Sequence, residues 1–268
     1  MSGGGFDAAW LALREPADAA ARDAALARRL RAHGPADGPW RIVDLGAGTG
    51  ANRRWLAPRL GGRQRWTLVD NDPLLLRYAA APGVRQVRLD LAGDLGALAP
   101  RQADLVTASA LLDLVSEAWL EQLVGQCRRR DAVLHFALSY DGRIDWTPGD
   151  RDDERVRQLV NRHQQGDKGF GPALGPAAGD FAARLLRRCG YRVRTAPSPW
   201  RLGPGQVQLQ EALLAGWLSA AVEIAPQQAT RLAKWAARRR RYIAAQESHL
   251  VVGHVDVLGV PRRFRIKS

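Results

Sequence analysis

The run Ile42-Val43-Asp44-Leu45-Gly46-Ala47-Gly48-Thr49-Gly50-Ala51-Asn52 constrains this chain more than any other stretch. Apolar residues lead in as a buried strand does. The alternating glycines permit a tight turn with backbone close to a ligand, and Ala51 and Asn52 open a helix. A strand, glycine turn and helix in that order belong in a parallel sheet, where nucleotide-like ligands lie across the turn. Asp44 narrows the ligand further. A pyrophosphate at this turn would meet a like charge, whereas a ligand with an ammonium and a sulfonium suits an acid.

The rest of the chain agrees with a sheet. Strands are expected at 40–45, 66–70, 84–90, 103–109 and 132–139. Helices separate them at 51–60, at 73–80 behind the Asp72-Pro73 cap, and after Ser116, closing on Arg128, Arg129 and Arg130. Ahead of the first strand, residues 6–33 read as two helices, the second starting at Pro16 and ending at Gly34. Beyond the fifth strand come a helix at 154–165, a glycine- and proline-rich loop at 166–176, a helix at 180–188 and a strand at 191–195. Two long helices near 207–224 and 227–248 and a last strand at 254–260 complete the pattern. The fold class is α/β, a doubly wound, mostly parallel sheet with helices on both faces. The expected organisation is an N-terminal helical arm or lid over residues 1–37 and one sheet domain over 38–268. Residues 140–176 and 205–248 are substrate-side or lid additions, the helical insertions after strands five and six.

Two more acids extend the glycine turn into a site. Asp70 ends the second strand, where a carboxylate accepts both hydroxyls of a ribose. Asp90 ends the third and can accept from an adenine amino group, with the Leu91 amide donating to the ring. A nicotinamide-binding domain needs no acid at that third place. Val43–Gly50, Leu68-Val69-Asp70, Arg88-Leu89-Asp90-Leu91 and the fourth-strand stretch Ala103–Asp113 together resemble the motifs of class I S-adenosylmethionine-dependent methyltransferases. The resemblance covers residues 38–140 in motifs and 180–260 in topology. It implies a seven-stranded sheet with an antiparallel last strand and S-adenosyl-L-methionine as cofactor, leaving S-adenosyl-L-homocysteine. It also implies a cofactor site built from Asp44, Gly46, Ala47, Gly48, Asn52, Asp70, Asn71, Asp90, Leu91 and Ser109. Asn52 is read equally as a helix cap and as a contact to the methionine end.

Methyl transfer is a direct displacement that needs an aligned acceptor, exclusion of water and sometimes a base. The fourth strand ends in Thr107-Ala108-Ser109-Ala110, without the Asn/Asp-Pro-Pro-aromatic pattern of enzymes acting on exocyclic or amide nitrogens. Neither Cys127 nor Cys189 stands at a strand end as a nucleophile would. The expected acceptor is therefore an O or N atom of a small molecule. Candidate catalytic groups are His163, Tyr140 and Asp113, with His163 first as a general base. Candidate substrate or lid residues are Trp10 and Arg14 in the arm and Asp167, Lys168 and Phe170 in the glycine loop, Arg14 and Lys168 serving anionic groups. No metal site is expected.

Composition bears on partners. The net charge of +13 invites nucleic acid or other anions, and Arg238–Arg241 with Arg231, Lys234, Trp235 and Tyr242 make the strongest basic run. An rRNA or tRNA substrate is thus the second reading, and a non-catalytic interaction module the third. Arginine overuse explains the charge more simply, since lysine occurs only at Lys168, Lys234 and Lys267. Two cysteines, no spanning apolar run and no signal-like pattern in Met1–Phe6 lead to the expectation of a cytoplasmic protein without a membrane partner.

Overall fold

The computed structural model describes residues 7–35, 37–93, 95–98 and 103–262. The arm consists of α1 (Ala8–Ala21) and α2 (Ala24–Arg31). Then follow β1 (Trp40–Leu45), α3 (Ala51–Leu60), β2 (Gln64–Asp70), α4 (Pro73–Tyr78), β3 (Val84–Arg88), β4 (Leu105–Ser109), α5 (Glu117–Arg128) and β5 (Val133–Thr147). The second half contains α6 (Asp153–Gln164), α7 (Ala178–Arg188), β6 (Tyr191–Pro197), β7 (Trp200–Leu202), α8 (Val207–Ile224), α9 (Ala229–Ala244) and β8 (His249–Pro261). The sheet runs β3-β2-β1-β4-β5-β8-β6, parallel from β3 to β5 and antiparallel at β8. Strand order reverses between β1 and β4. Ligands bind outside the carboxyl ends of the strands at such a switch point.

Two apolar layers cover the sheet. On one face α2 and α3 pack Leu26, Leu30, Trp55 and Leu56 onto Ile42 and Leu68. On the other, α5 and α7 pack Leu120, Val124, Ala182 and Leu186 onto Val106, Leu134 and Phe136. Gly179 lets α7 approach β8, because a Cβ there would stand 2.1 Å from Val255. A third apolar cluster lies apart from these. In it α1, α6, α8 and α9 pack against Tyr140, Ile144 and Trp146 of β5, Trp200 of β7 and Val252 of β8.

That third cluster exists because β5 and β8 outrun the sheet. Residues 133–140 of β5 are buried on both faces, as a central parallel strand requires. From Asp141 onward burial alternates, the signature of a ribbon with one solvated face. The change falls at register irregularities between Phe136 and Ser139 and between Tyr140 and Ile144, where Leu138 and Gly142 take positive φ.

Several expectations change. Pro16 lies inside α1 and does not begin a helix. The break comes at Arg22, in extended conformation, and at Asp23, whose carboxylate caps α2 by accepting from the Leu26 amide at 2.6 Å. An eighth strand, β7, pairs with β8 beyond the seven expected. The basic run of α9 is largely engaged within the fold. Arg238 bonds Asp150 and Asp152, Arg239 bonds Asp153 and the Pro148 carbonyl, Arg231 bonds Asp152, and Arg240 faces Glu211. Trp235 is buried, donating to Asp153 at 2.8 Å. Among the described residues no helix is long and apolar enough to cross a membrane.

Candidate active site

The glycine turn lies where β1 meets α3. Gly46, Gly48 and Gly50 have φ of +60°, +52° and +81°, a region that side chains strain to enter. The turn is tied to β2 twice. The Ala47 amide donates to the Val69 carbonyl at 3.0 Å, and the Gly48 amide to Asp70 Oδ2 at 2.8 Å. Asp70 Oδ1 accepts from the Asp72 amide, so this carboxylate is held by backbone on both sides. Asn71 follows Asp70, and its carbonyl accepts from Arg88. At the end of β3, Asp90 accepts from the Ala92 amide, while the Leu91 carbonyl accepts the Trp119 indole N–H at 2.6 Å. Apolar side chains roof the turn, since a Cβ on Gly48 would meet Leu11 of α1 at 3.2 Å and one on Gly46 would meet Leu111 at 3.4 Å.

Beneath the turn lies a buried polar chain. Asp44 is fully buried, and its Oδ1 accepts from Asn52 Nδ2 at 2.5 Å. Asn52 also donates to Thr107 Oγ1 at 3.2 Å, and Thr107 lies 3.4 Å from His135 Nδ1. Asn52 Oδ1 in turn accepts from Arg22 Nη2 at 2.6 Å. Asn52 therefore does not cap its helix; Gly50 holds that position. The Arg22 guanidinium lies 4.2 Å over the Trp55 ring. Burial lowers its pKa to about 10 and raises that of Asp44 to about 7, the Asn52 bond and then Arg22 opposing the rise in Asp44. Asp44 Oδ2 and Arg22 Nε are both buried without a partner. A cavity of about 300 Å³ opens beside Arg22, lined also by Asp18, Asn52, Trp55, Arg59 and Ser109.

These residues fit an adenosyl cofactor with a charged amino-acid end. The partnerless Asp44 oxygen faces a demand for positive charge, and the partnerless Arg22 nitrogen a demand for an acceptor. Arg22 does not stand out in the sequence of an arginine-rich chain. Its only trace there is Asp23, a helix-cap residue whose presence marks a break beside it.

A second group of side chains stands beyond the end of β4 and beside the middle of β5. Asp113 follows β4 in a turn at 112–114, and its Oδ1 is buried without a partner. Burial pushes its pKa up to about 6, against its own amide, Arg14 and the Tyr140 amide. Asp113 and Tyr140 are thus neighbours. The Tyr140 hydroxyl donates to Asn161 Oδ1 at 2.7 Å, and burial raises its pKa. Across the ribbon, Tyr140 pairs in register with His254, whose ring lies 5.1 Å from that of Trp200. His254 Nδ1 has no partner, and burial lowers this imidazole to about 3. Arg14 bonds Asp18 in its own helix at 2.9 Å and lies 4.9 Å over Trp200, while Trp10 packs on the third cluster. The carboxylate that Arg14 reaches here is that of Asp18.

The structure separates His163 from this group. His163 Nε2 lies 3.3 Å from Glu223 on α8, and Lys168 Nζ 3.4 Å from His163 Nδ1. Among the described residues no hydrogen bond or ion pair joins His163 to Asp113 or Tyr140. Asp167 accepts from the Gly169 and Gly171 amides at 2.7 and 3.0 Å, organising its own loop. Phe170 packs edge-on to Trp119 at 5.6 Å. The glycine loop is thereby folded onto the body, with the Leu174 amide bonded to the Val115 carbonyl. Trp200 and His254 were not expected near a site, because nothing local in sequence brings β7 and β8 to Tyr140.

The fold is a doubly wound α/β framework whose switch point carries the glycine turn. The family model for the methyltransferase domain matches residues 42–130. No curated protein matches the sequence. Among solved structures, the chain is similar to a cyclopropane-fatty-acyl-phospholipid synthase-like protein from Lactobacillus casei ATCC 334. That likeness is at 13% identity over 92% of this chain and 98% of that one, with a TM-score of 0.50. It is similar also to the YcgJ protein of Bacillus subtilis, at 13% identity over 89% and 99%, with a TM-score of 0.50. A third likeness is to phosphoethanolamine N-methyltransferase 2 from Haemonchus contortus, in complex with phosphomonomethylethanolamine and S-adenosylhomocysteine. It has 14% identity over 87% of this chain and a TM-score of 0.41, and this chain spans about half (51%) of that enzyme's length. The fold is that of class I S-adenosylmethionine-dependent methyltransferases, and residues 42–130 carry the match to a methyltransferase domain.

Proposed function

We propose that this protein transfers the cofactor's methyl group to an O or N atom of a small acceptor bound between the end of β4, Tyr140 of β5 and the arm. The observation that carries this reading is the buried, partnerless Asp113 Oδ1 beside Tyr140, a residue that packs in one cluster with α1 and Trp200. The cofactor supplies an electrophilic methyl on a sulfonium. Asp70 would hold the ribose hydroxyls, Asp90 and the Leu91 amide the adenine, and the Gly46–Gly48 turn would let the cofactor approach the backbone. Asp44 faces the cationic end, and Arg22 takes the carboxylate. Asp113 would take the proton from the O–H or N–H of the acceptor that receives the methyl group. The engaged arginines of α9 favour a metabolite over RNA. The two free cysteines suit a cytoplasmic setting.

Calorimetry tests the cofactor site. S-adenosylhomocysteine is expected to bind, and Asp70→Ala to weaken it by at least about tenfold, since the carboxylate accepts two hydroxyls. Wild type that binds a nicotinamide dinucleotide and no S-adenosylhomocysteine would defeat the reading.

The cofactor's affinity should also depend on pH. Burial holds Asp44 at about 7, so a protonated carboxyl dominates below that pH. A cation favours the ionised form, and binding expels a proton. Affinity for S-adenosylmethionine therefore rises as pH increases and levels off above about 7, a gain of about tenfold between pH 6 and 8. Asp44→Asn flattens this profile. The same shift acts on folding with opposite sense, because a raised carboxyl binds protons in the folded state and loses stability as pH climbs from about 4 to about 7. A level affinity profile in the wild type would contradict this role for Asp44.

A further inference from the structure

Asp256 stands on β8, fully buried and far along the chain from the glycine turn. Its carboxylate accepts from three separate segments. Oδ1 accepts from the Leu138 amide at 2.8 Å and the Ser198 hydroxyl at 2.6 Å, and Oδ2 accepts from the Asp23 amide at 3.0 Å. The first donor is the positive-φ residue at the β5 irregularity, and the second lies between β6 and β7. The third is the peptide N–H that directly follows Arg22 in the hinge between α1 and α2. This hinge is the point at which the arm turns its guanidinium toward Asn52.

Charge points the same way. Burial disfavours the charged Arg22, and the group that most supports it is Asp256, ahead of Asp44 and Asp18. Arg22 is therefore held by carboxylates on two sides. Asp44 stands on the side of the glycine turn, reached through Asn52, and Asp256 on the side of the hinge. A buried guanidinium with one carboxylate would be drawn onto it. With Asp256 behind it, Arg22 keeps Nε without an internal partner beside the cavity.

We propose that Asp256 is a positioning residue for cofactor binding, acting through Arg22 by fixing the α1–α2 hinge and balancing the guanidinium's charge. This rests on the reading that Arg22 takes the cofactor's carboxylate. Asp256 touches no reacting atom, so its effect falls on affinity and not on the chemical step.

A double-mutant cycle read by calorimetry with S-adenosylhomocysteine tests it. Arg22→Ala is expected to raise Kd at least about tenfold, and Asp256→Asn likewise. In the Arg22→Ala background Asp256→Asn should add less than about twofold, because the residue it serves is gone. Ser198→Ala, which removes one donor and no charge, should leave Kd within about twofold. An undiminished effect of Asp256→Asn without Arg22 overturns the proposal, as does an unchanged Kd in Asp256→Asn when Arg22→Ala binds weakly. Arg22→Ala that binds normally overturns the reading of Arg22 itself, and the proposal with it.

A second pair keeps the test open if Asp256→Asn does not fold. Asp23→Ala removes the α2 cap alone, whereas Asp23→Pro removes the cap and the N–H that Asp256 holds. Asp23 has φ of −77°, within proline's range, and extended Arg22 tolerates a following proline. Asp23→Pro is expected to bind S-adenosylhomocysteine several-fold more weakly than Asp23→Ala. Equal Kd values for the two would overturn the hinge role.

Discussion

Asp113→Asn lowers turnover by about 10²- to 10⁴-fold and leaves the Kd for S-adenosylhomocysteine within about twofold. The substitution keeps the size of a buried side chain and removes its capacity to take a proton. Asp113 follows β4, beyond the residues assigned to the cofactor, so ground-state cofactor binding does not pass through it. Burial sets its carboxyl at about 6, above the ordinary carboxylate range, yet low enough to be mostly ionised at neutral pH. Wild-type turnover should accordingly fall as pH drops through about 6, and Asp113→Asn should lose that limb. The measurement is S-adenosylhomocysteine release with acceptor supplied by a fractionated cell extract, at fixed enzyme and over a pH series. His163→Gln should change turnover little, since His163 stands with Glu223 and Lys168 on the α6–α8 side. Full activity in Asp113→Asn would remove the general base from the mechanism.

Arg239→Ala should cost about 3–5 kcal/mol of folding stability. The side chain is fully buried in α9 and bonds both oxygens of Asp153 and the Pro148 carbonyl. Its guanidinium also lies 5.0 Å from the centre of the Trp146 ring. Truncation leaves Asp153 with the Trp235 indole as its remaining side-chain donor and no cation in contact. The expense comes from that stranded carboxylate more than from the lost pair itself. Arg241→Ala, two positions on and exposed, should stay within about 0.5 kcal/mol. Urea unfolding at neutral pH, compared at equal m-value, separates the two. A loss below about 1 kcal/mol in Arg239→Ala would mean that the buried pair is not formed in solution.

These two arginines, two positions apart, show why the basic run misleads as sequence. Four arginines in succession look alike, and charge counting treats them as one patch. In the fold Arg238 and Arg239 turn toward Asp150, Asp152 and Asp153, which lie more than eighty positions earlier. Only the packing of α9 on the β5–α6 connection separates a buried cation from an exposed one.

The glycine turn was legible for the opposite reason. Its positive φ values, the lead-in strand and the following helix are demands made by neighbouring residues on one another, and glycine answers them locally. Alternation of strand and helix is local too, and β1 and β4 fall where hydrophobic patterning places them. Asp44, Asp70 and Asp90 could be aligned because each ends or follows a strand of a parallel sheet, and parallel strands end on one edge. By itself the sequence determined the sheet, its switch point and the charge of the ligand placed there. Tertiary structure alone decided the rest. It brought Arg22 to Asn52, Asp256 to the arm's hinge and His254 with Trp200 to Tyr140, and it placed His163 beside Glu223. Those pairings join residues far apart along the chain through burial and charge balance, and neither periodicity nor turn chemistry carries a record of what a side chain will be buried against.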